Sequence, residues 1–431
     1  MRRVYVSDIK DYIGKKVKVD GFAQIIRDQG NIKFIVLRDI TGIIQIVVHK
    51  KNKEAMAVAD GLTHESVVEI EGLAKEEKQA PGGFEVSAEK IKILSLSNAE
   101  LPIPIIEKGK QEEAEAPKRL DYRWLDLRKP EKAKIFRVWT EFEKGIRDYF
   151  LKNNFIQIYT PSLMNTASES GAEVFEVKYF DRKAYLAQSP QFYKQMAMAA
   201  GLERVFMIGP VFRAEPSFTT RHMTEFTGWD FEMAYIDSHH DLMDAEEGMI
   251  IEGFKAVAKE FPELNLGIPA KPFPRIAMVD AKKILAKENM PSGEEHDLSP
   301  EEEKKISEYV SREHNHDFVF ITDYHKSKSA FYHMRHEDDK DRSKRADLIY
   351  KGLEVTTLAQ REHRIEILEK QAKEKGMNLN SLKNYLNFFR WGCPPHGGAG
   401  IGPGRFIMKI LDLPNVREAT YLPRDVKRLE P

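Results

Sequence analysis

Five β-rich segments fill the first hundred residues, and this constrains the fold more than any other feature of the chain. Val17–Ile26, Lys33–Asp39, Gly42–Lys50, Ser66–Lys75 and Gly83–Leu96 are separated by turn chemistry such as Asp28-Gln29-Gly30-Asn31 and Ala80-Pro81-Gly82-Gly83. A single short helix candidate, Lys53–Asp60, falls between the third and fourth segments. That order suits a small five-stranded barrel of the oligonucleotide-binding type, with a small sandwich as its rival.

Beyond the strands the pattern changes. Glu107–Lys118 holds seven charged residues in twelve without apolar periodicity, and reads as a solvated hinge. Next, Ile135, Val138, Phe142, Ile146 and Phe150 recur at helical spacing, with Gly145 as the weak spot. Strands and helices then alternate to the end. Glu301–His314 and Arg364–Lys375 read as helices, and the proline-bearing Asn265–Pro274 reads as a loop. The expected organisation is a barrel at 1–104, a hinge at 105–130 and an α+β domain at 131–431.

Composition closes several routes. With 67 Lys+Arg against 68 Asp+Glu the net charge is −1, so nucleic-acid binding by bulk positive charge is excluded, although a local basic face is not. The single cysteine, Cys393, excludes a disulfide framework and a multi-cysteine zinc site. No run of about 18 apolar residues is present, nor a signal-peptide pattern, so a cytoplasmic protein that does not span a membrane is expected.

The familiar phosphate-binding loops are missing. There is no GxxxxGK[ST], and Gly398–Gly404 is glycine-dense without matching GxGxxG. His314-Asn315-His316 and His239-His240 have no matching ligand set around them and read as polar helix ends.

Four other segments carry chemistry. Arg213 and Glu215 stand two apart on an expected strand, and so share a face. After a polar loop come Arg221 and His222, and then Phe226, Gly228, Asp230 and Glu232 on one face of a second strand. A guanidinium, a carboxylate and a ring around a bare backbone position suit a purine nucleotide. Trp391–Arg405 brings glycines and an arginine to the start of an apolar helix, Phe406–Leu411. Asp347 and Glu354, with Arg361 following, offer carboxylates of the kind that hold Mg²⁺ beside a polyphosphate. The last is Ser189–Lys194, with Glu169 upstream.

Together these segments resemble the class II aminoacyl-tRNA synthetases. Phe212-Arg213-Ala214-Glu215 with the following strand is similar to motif two, and the glycine-rich run ending in Arg405 to motif three. Asn154–Pro161 is similar to motif one, which implies a homodimer. The order barrel, hinge, catalytic domain is that of the aspartyl/asparaginyl/lysyl subgroup, and the resemblance covers essentially the whole chain. It implies a catalytic domain with an antiparallel sheet flanked by helices.

The resemblance also implies roles. Arg213, Arg405 and Glu354 would be catalytic. Arg213, Glu215, Arg221, His222, Phe226, Glu354 and Arg405 would bind ATP, and Asp347, Glu354 and Thr357 would hold Mg²⁺. Glu169, Gln191, Lys194, Asp230 and Arg361 would bind aspartate, with Lys194 and Arg361 on the substrate side chain. Asparaginyl enzymes have an apolar residue at the lysine position. A buried ammonium facing a carboxamide would lose its ion partner, at a cost of about a few kcal/mol. In the barrel, Arg27, Phe34 and Gln45 match positions that read an anticodon, with Phe34 stacking on a base. Gln24 and the Ala80–Gly83 loop depart from the pattern of enzymes restricted to tRNA(Asp), so the resemblance leaves open tRNA(Asn) as a second acceptor beside tRNA(Asp).

Three features depart from the family, the unusually charged insert Arg335–Arg345 among them. Thr356-Thr357-Leu358-Ala359 replaces Ser-Ser-Gly-Gly, and Gly404 stands where an acidic residue is usual. Glu354 and Arg361 are also an odd number apart, so on an unbroken strand they would face opposite sides, and a bulge or bend has to bring them together. The competing readings are an asparaginyl-tRNA synthetase, a catalytically silent paralogue that binds tRNA, and an amide-forming paralogue, which would lack the barrel.

Overall fold

The computed structural model describes residues 1–105, 113–165, 173–290 and 293–431, and the chain divides into two compact units, 1–133 and 134–431. In the first unit β1 (Lys16–Asp28), β2 (Ile32–Asp39), β3 (Gly42–His49), β4 (Ser66–Glu76) and β5 (Phe84–Ser95) close a barrel in the order β1-β2-β3-β5-β4. Closure depends on β1, which pairs with β2 along one edge and β4 along the other. A bulge at Gln24, between the pairs Ala23–Leu37 and Ile25–Val36, adds the twist that such a wrap requires. Ile35, Leu37, Ile44 and Ile46 point inward and are fully buried. The expected helix is present at Lys53–Asp60, capped by Asn52 Oδ1, which accepts from the Ala55 N–H at 3.1 Å.

The expected hinge at 105–130 differs from its reading. Residues 106–112 lie outside the described residues, but Ala116–Asp121 and Arg123–Asp126 are helical. Glu113, Glu115 and Lys118 of the charged run are exposed, whereas Arg119, Arg123, Asp126 and Lys129 after it are buried. Asp126 Oδ2 accepts from Arg123 Nη1 at 2.8 Å and Arg119 Nη1 at 3.3 Å, and Lys129 Nζ lies 3.7 Å from Oδ1. Arg128 donates to Glu65 of the barrel at 3.2 Å and lies over the Phe22 ring. The helices that follow the charged run, and the burial of their charges, were not expected from composition.

The second unit adds β6 (Ile156–Gln157), β7 (Leu163–Met164), β8 (Glu176–Tyr179), β9 (Arg182–Leu186), β10 (Arg204–Phe212) and β11 (Glu225–Ala234). It continues with β12 (Arg275–Ala277), β13 (Phe318–Thr322), β14 (Arg345–Tyr350), β15 (Leu353–Arg361) and β16 (His396–Ile401). The main sheet runs β12-β13-β14-β15-β16-β11-β10-β6, antiparallel at its centre and parallel only at the edge pairs β12–β13 and β10–β6. Strands β7, β9 and β8 form a separate small sheet.

The helix Pro130–Lys152 buries the expected stripe Ile135, Val138, Phe142, Ile146 and Phe150. Its weak spot has a packing reason. A Cβ at Gly145 would lie 2.3 Å from the Glu252 carbonyl oxygen, so the glycine lets the helix His239–Glu260 come this close. Glu301–His314 and Arg364–Lys375 appear as Pro300–His314 and Ile365–Glu374, and 265–274 is a loop. Among the described residues no helix is long and apolar enough to cross a membrane.

Candidate active site

A cleft of about 850 Å³ opens on the central sheet of the second unit, lined by β10, β11, β15, β16 and the loop 213–224. Of the expected site residues in this unit, Gln191, Lys194, Arg213, Glu215, Arg221, His222, Phe226, Asp230, Glu354, Thr357, Arg361 and Arg405 all line it. Asp347 is buried off the lining, and Glu169 lies outside the described residues.

The inner end is a buried network of two cations and two carboxylates. Lys194, in the helix Gln191–Ala199, donates to Asp230 Oδ2 at 2.7 Å and to the Ala399 carbonyl at 3.0 Å, and lies 3.5 Å from Glu232. Arg361 at the end of β15 donates from Nε to Glu232 Oε1 at 3.0 Å, and from Nη2 to Glu232 Oε2 at 3.3 Å and Gly398 O at 2.9 Å. Nη1 takes part in none of these bonds. Burial pushes the Glu232 carboxyl up, but Arg361 and Lys194 outweigh it and hold the group below the usual carboxylate range. Gly398 makes room for this carboxylate, since a Cβ there would stand 2.2 Å from Glu232 Oε2 and 2.0 Å from the Phe231 carbonyl.

These distances correct the selectivity argument. Lys194 already has Asp230 as its partner, so a neutral carboxamide would not leave the ammonium unpaired. Arg361 Nη1 stays outside these bonds. Glu232 was visible as the next same-face residue after Asp230, but nothing in the spacing showed that it would bridge both cations.

Behind this network a polar chain sets the helix. Gln195 Oε1 accepts from Gln191 Nε2 and from the Tyr385 hydroxyl, each at 3.0 Å. Its amide nitrogen therefore faces His396 Nε2, also at 3.0 Å, while His396 Nδ1 donates to Pro394 O at 2.8 Å. Burial pushes the His396 imidazole down to about 4, so it is neutral, as an accepting Nε2 requires.

The outer end is more open. β10 stops at Phe212, so Arg213 and Glu215 stand in the loop rather than on the expected strand. They still meet, at 3.6 Å, and the Arg213 guanidinium lies over the Phe226 ring at 5.7 Å. His222 Nδ1 lies 2.6 Å from Thr219 Oγ1, and burial and then Arg405 hold its pKa below the ordinary value. Glu303, which the sequence reading did not single out, gathers this end. It accepts from Arg221 Nη1 at 2.8 and 2.9 Å and from the Glu354 N–H at 3.1 Å. Arg405 donates to the Glu354 carbonyl at 2.7 Å.

Asp347 and Thr357 are directly opposite on β14 and β15. The required irregularity sits at Val355, since Thr356 pairs with Leu348 and Glu354 with Ile349. The bulge turns Glu354 onto the face of Thr357 and Arg361 without any glycine at 358 or 359, and Leu358 and Ala359 are fully buried. Thr357 Oγ1 lies 3.5 Å from Glu354 Oε1. Arg345 grips Asp347 with two bonds, at 3.1 and 2.6 Å. Burial raises the Asp347 pKa, Arg345 opposes this and the Glu354 charge adds to it. Among the described residues no group of three or more His, Cys, Asp or Glu is placed to hold a metal. Two carboxylates and a hydroxyl nevertheless fit a divalent ion that takes its remaining ligands from phosphate oxygens. At Gly404 a Cβ would stand 3.1 Å from the Val416 side chain, a tight contact.

In the barrel, Arg27 pairs with Phe34 across β1–β2, and Val36 pairs with Gln45 across β2–β3. By alternation Arg27, Phe34 and Gln45 share the face opposite Ile35 and Leu37. Gln45 Nε2 donates to Glu85 at 3.0 Å.

Comparison with known proteins agrees with both units. Residues 14–94 match the OB-fold nucleic acid binding domain, and 115–426 match tRNA synthetases class II (D, K and N). The chain is 41% identical to the aspartate--tRNA(Asp) ligase of Pyrococcus abyssi, with 100% of each covered. It is 42% identical to the aspartate--tRNA(Asp/Asn) ligase of Aeropyrum pernix, with 99% of each covered. The crystal structure of Pyrococcus horikoshii asparaginyl-tRNA synthetase complexed with asparaginyl-adenylate superposes with a TM-score of 0.92 at 32% identity, covering 100% of both chains. Enzymes of this class use ATP with a divalent metal ion. The barrel, the cleft and these full-length similarities together place the chain in the class II tRNA synthetases of the aspartate, lysine and asparagine group.

Proposed function

We propose that this chain is an aspartate--tRNA ligase that attaches L-aspartate to the 3′ end of tRNA(Asp) through an aspartyl-adenylate. One observation carries the choice of amino acid. The inner end of the cleft holds Lys194 and Arg361 on a rigid carboxylate frame, and Arg361 keeps a donor outside it. A substrate side-chain carboxylate meets cations there, with a donor still available to bind it.

The chemistry follows from charge and position. The aspartate α-carboxylate attacks the α-phosphorus of ATP, the P–O bond to pyrophosphate breaks, and the adenylate forms. The nucleophile is already an anion, so the site needs no general base, and the rate comes from alignment and from neutralising phosphate charge. Arg213 is assigned to the α-phosphate, Glu215 and Phe226 to adenine, and His222, Arg221 and Arg405 to the outer phosphates. Gln191 and Glu169 are assigned to the substrate ammonium. Mg²⁺, when bound by Glu354, Asp347 and Thr357, supplies further neutralisation of the polyphosphate. The tRNA 3′-hydroxyl then takes the aspartyl group from the adenylate, releasing AMP, while Arg27, Phe34 and Gln45 bind the anticodon.

Exposed Leu151, Ile156, Tyr159 and Leu163 surround the segment similar to motif one, and they support a homodimer in solution, tested by sedimentation. A cytoplasmic setting goes with this reading. Charging of tRNA(Asn) is the open half of the specificity. The Asp/Asn name of the Aeropyrum relative and the Ala80–Gly83 loop support it.

The deciding experiment is amino-acid-dependent ATP–pyrophosphate exchange without tRNA, over aspartate, asparagine, glutamate and lysine. Exchange with aspartate alone is expected, and exchange with asparagine would refute the assignment. Charging of purified tRNA(Asn) with aspartate then decides the acceptor.

A further inference from the structure

His333 is a buried polar group in the cleft that the reaction just described does not use. It lines the cleft yet is only 6% exposed, and its Nδ1 has no hydrogen-bond partner among the described residues. Its backbone is fixed on both sides. The His333 N–H donates to Ala330 O at 3.1 Å, and its carbonyl accepts from Gln371 Nε2 at 3.1 Å. An isolated antiparallel bridge sets His333 opposite Arg361. Residues opposite each other in such a pair carry their side chains on one face, with Cβ atoms about 5 Å apart. The imidazole therefore stands beside the guanidinium assigned to the substrate side chain.

Its surroundings define what it can do. Burial, and then the charges of Arg361, Arg345 and Lys194, hold the imidazole well below the ordinary histidine range, so it stays neutral. It cannot serve as a further cation. A neutral ring still offers one N–H donor and one acceptor. Lys194 and Arg361 meet the substrate already bonded to Asp230 and Glu232. An incoming carboxylate needs donors outside that frame, and His333 carries one next to Arg361.

We propose that His333 is a specificity-determining residue of the amino-acid site, donating a hydrogen bond to the side-chain carboxylate of bound aspartate beside Arg361. The inference rests on reading the cleft as an aspartate-activating site.

The test compares His333→Ala, His333→Phe and His333→Asn with the wild type, by calorimetric titration of L-aspartate and by ATP–pyrophosphate exchange. A hydrogen bond to a charged group corresponds to about a 10- to 100-fold change in affinity. The alanine and phenylalanine variants should raise both Kd and KM for aspartate by that factor and leave the KM for ATP unchanged. The asparagine variant, which keeps a donor, should recover most of the loss. Unchanged aspartate affinity in the alanine and phenylalanine variants overturns the proposal. So does a parallel loss for ATP and aspartate with no recovery by asparagine, which is the signature of a structural role. Wild-type protein that binds aspartate without exchange would refute the activity, while the titrations would still decide His333. Wild-type protein that does neither overturns both.

Discussion

The two ends of the cleft hold their cations in opposite ways. At the inner end Lys194, Glu232 and Arg361 are buried, stand on strands and a helix, and neutralise one another before any substrate arrives. At the outer end Arg213 stands in a loop with 43% of its side chain exposed, beside a Glu215 at 3.6 Å. Water screens an exposed cation cheaply, so it can stay available for a phosphate. A buried cation has no such screen, and it needs a permanent protein carboxylate to exist there at all. The inner end is therefore coupled to fold stability, whereas at the outer end Arg213 can change at little cost to the fold.

Two substitutions test that contrast most severely. Glu232→Ala strips Lys194 and Arg361 of their shared carboxylate, and breaking a buried pair in this way costs about 3–5 kcal/mol. The denaturant midpoint should fall accordingly, and aspartate-dependent exchange should disappear. Arg213→Ala should behave in the opposite manner. Its unfolding free energy should stay within about 0.5 kcal/mol of wild type, while kcat/KM in the exchange assay falls by about 10²–10³ through lost phosphate neutralisation. Equal stability losses in the two variants would end the comparison.

The same contrast explains what the sequence disclosed. The barrel was legible strand by strand, because each segment is short, apolar on alternate positions and closed by a turn. The loop residues Arg213 and His222, and Phe226 at the start of β11, were legible as types, since a nucleotide site needs a guanidinium and a ring. Of the inner frame, Lys194, Asp230 and Arg361 were named through the family resemblance, but their joining through Glu232 was not legible, because the members come from β11, β15, β16 and a helix spread over some two hundred residues. Glu232, Gln195 and His396 act only through each other, and no local pattern marks that. The bulge at Val355 was anticipated from parity, but its place was not. Leu358 and Ala359 stand where the Ser-Ser-Gly-Gly of the resemblance has its glycines. The sheet instead absorbs the extra residue next to Glu354, leaving both positions free to pack in the core. The helices at 116–126 were missed for a related reason, since charges such as Arg123 and Asp126 find their partners only in the folded first unit.

A milder change at the inner end separates crowding from charge. Gly398→Ala keeps all four ionised groups but sets a Cβ 2.2 Å from Glu232 Oε2 and 2.0 Å from the Phe231 carbonyl, so both the carboxylate and the strand must shift. Overpacking of this kind costs about 1–3 kcal/mol. The aspartate KM should rise with the stability loss while the KM for ATP stays in place. Loss of ATP affinity in this variant would mean that the two ends are not independent.

The smallest effect, a pH dependence, tests whether the inner frame depends on a neutral histidine. His396 has its pKa pushed down to about 4 by burial, against 6.5 for the free side chain. Between these values the unfolded chain takes up a proton that the native site refuses, so the group's contribution to stability falls as pH drops from 6.5 towards 4. The slope for one group is about 1.4 kcal/mol per pH unit. Protonation of Nε2 would also break its bond from Gln195, whose amide cannot turn because Gln191 and Tyr385 fix its oxygen. His396→Gln removes the titrating group. Denaturant midpoints measured at pH 6.5, 5.5 and 4.5 should therefore fall less steeply in the variant than in the wild type, by about that slope. Parallel lines would show that His396 is protonated in the folded protein across this range, and that the tautomer inferred from its hydrogen bonds is wrong.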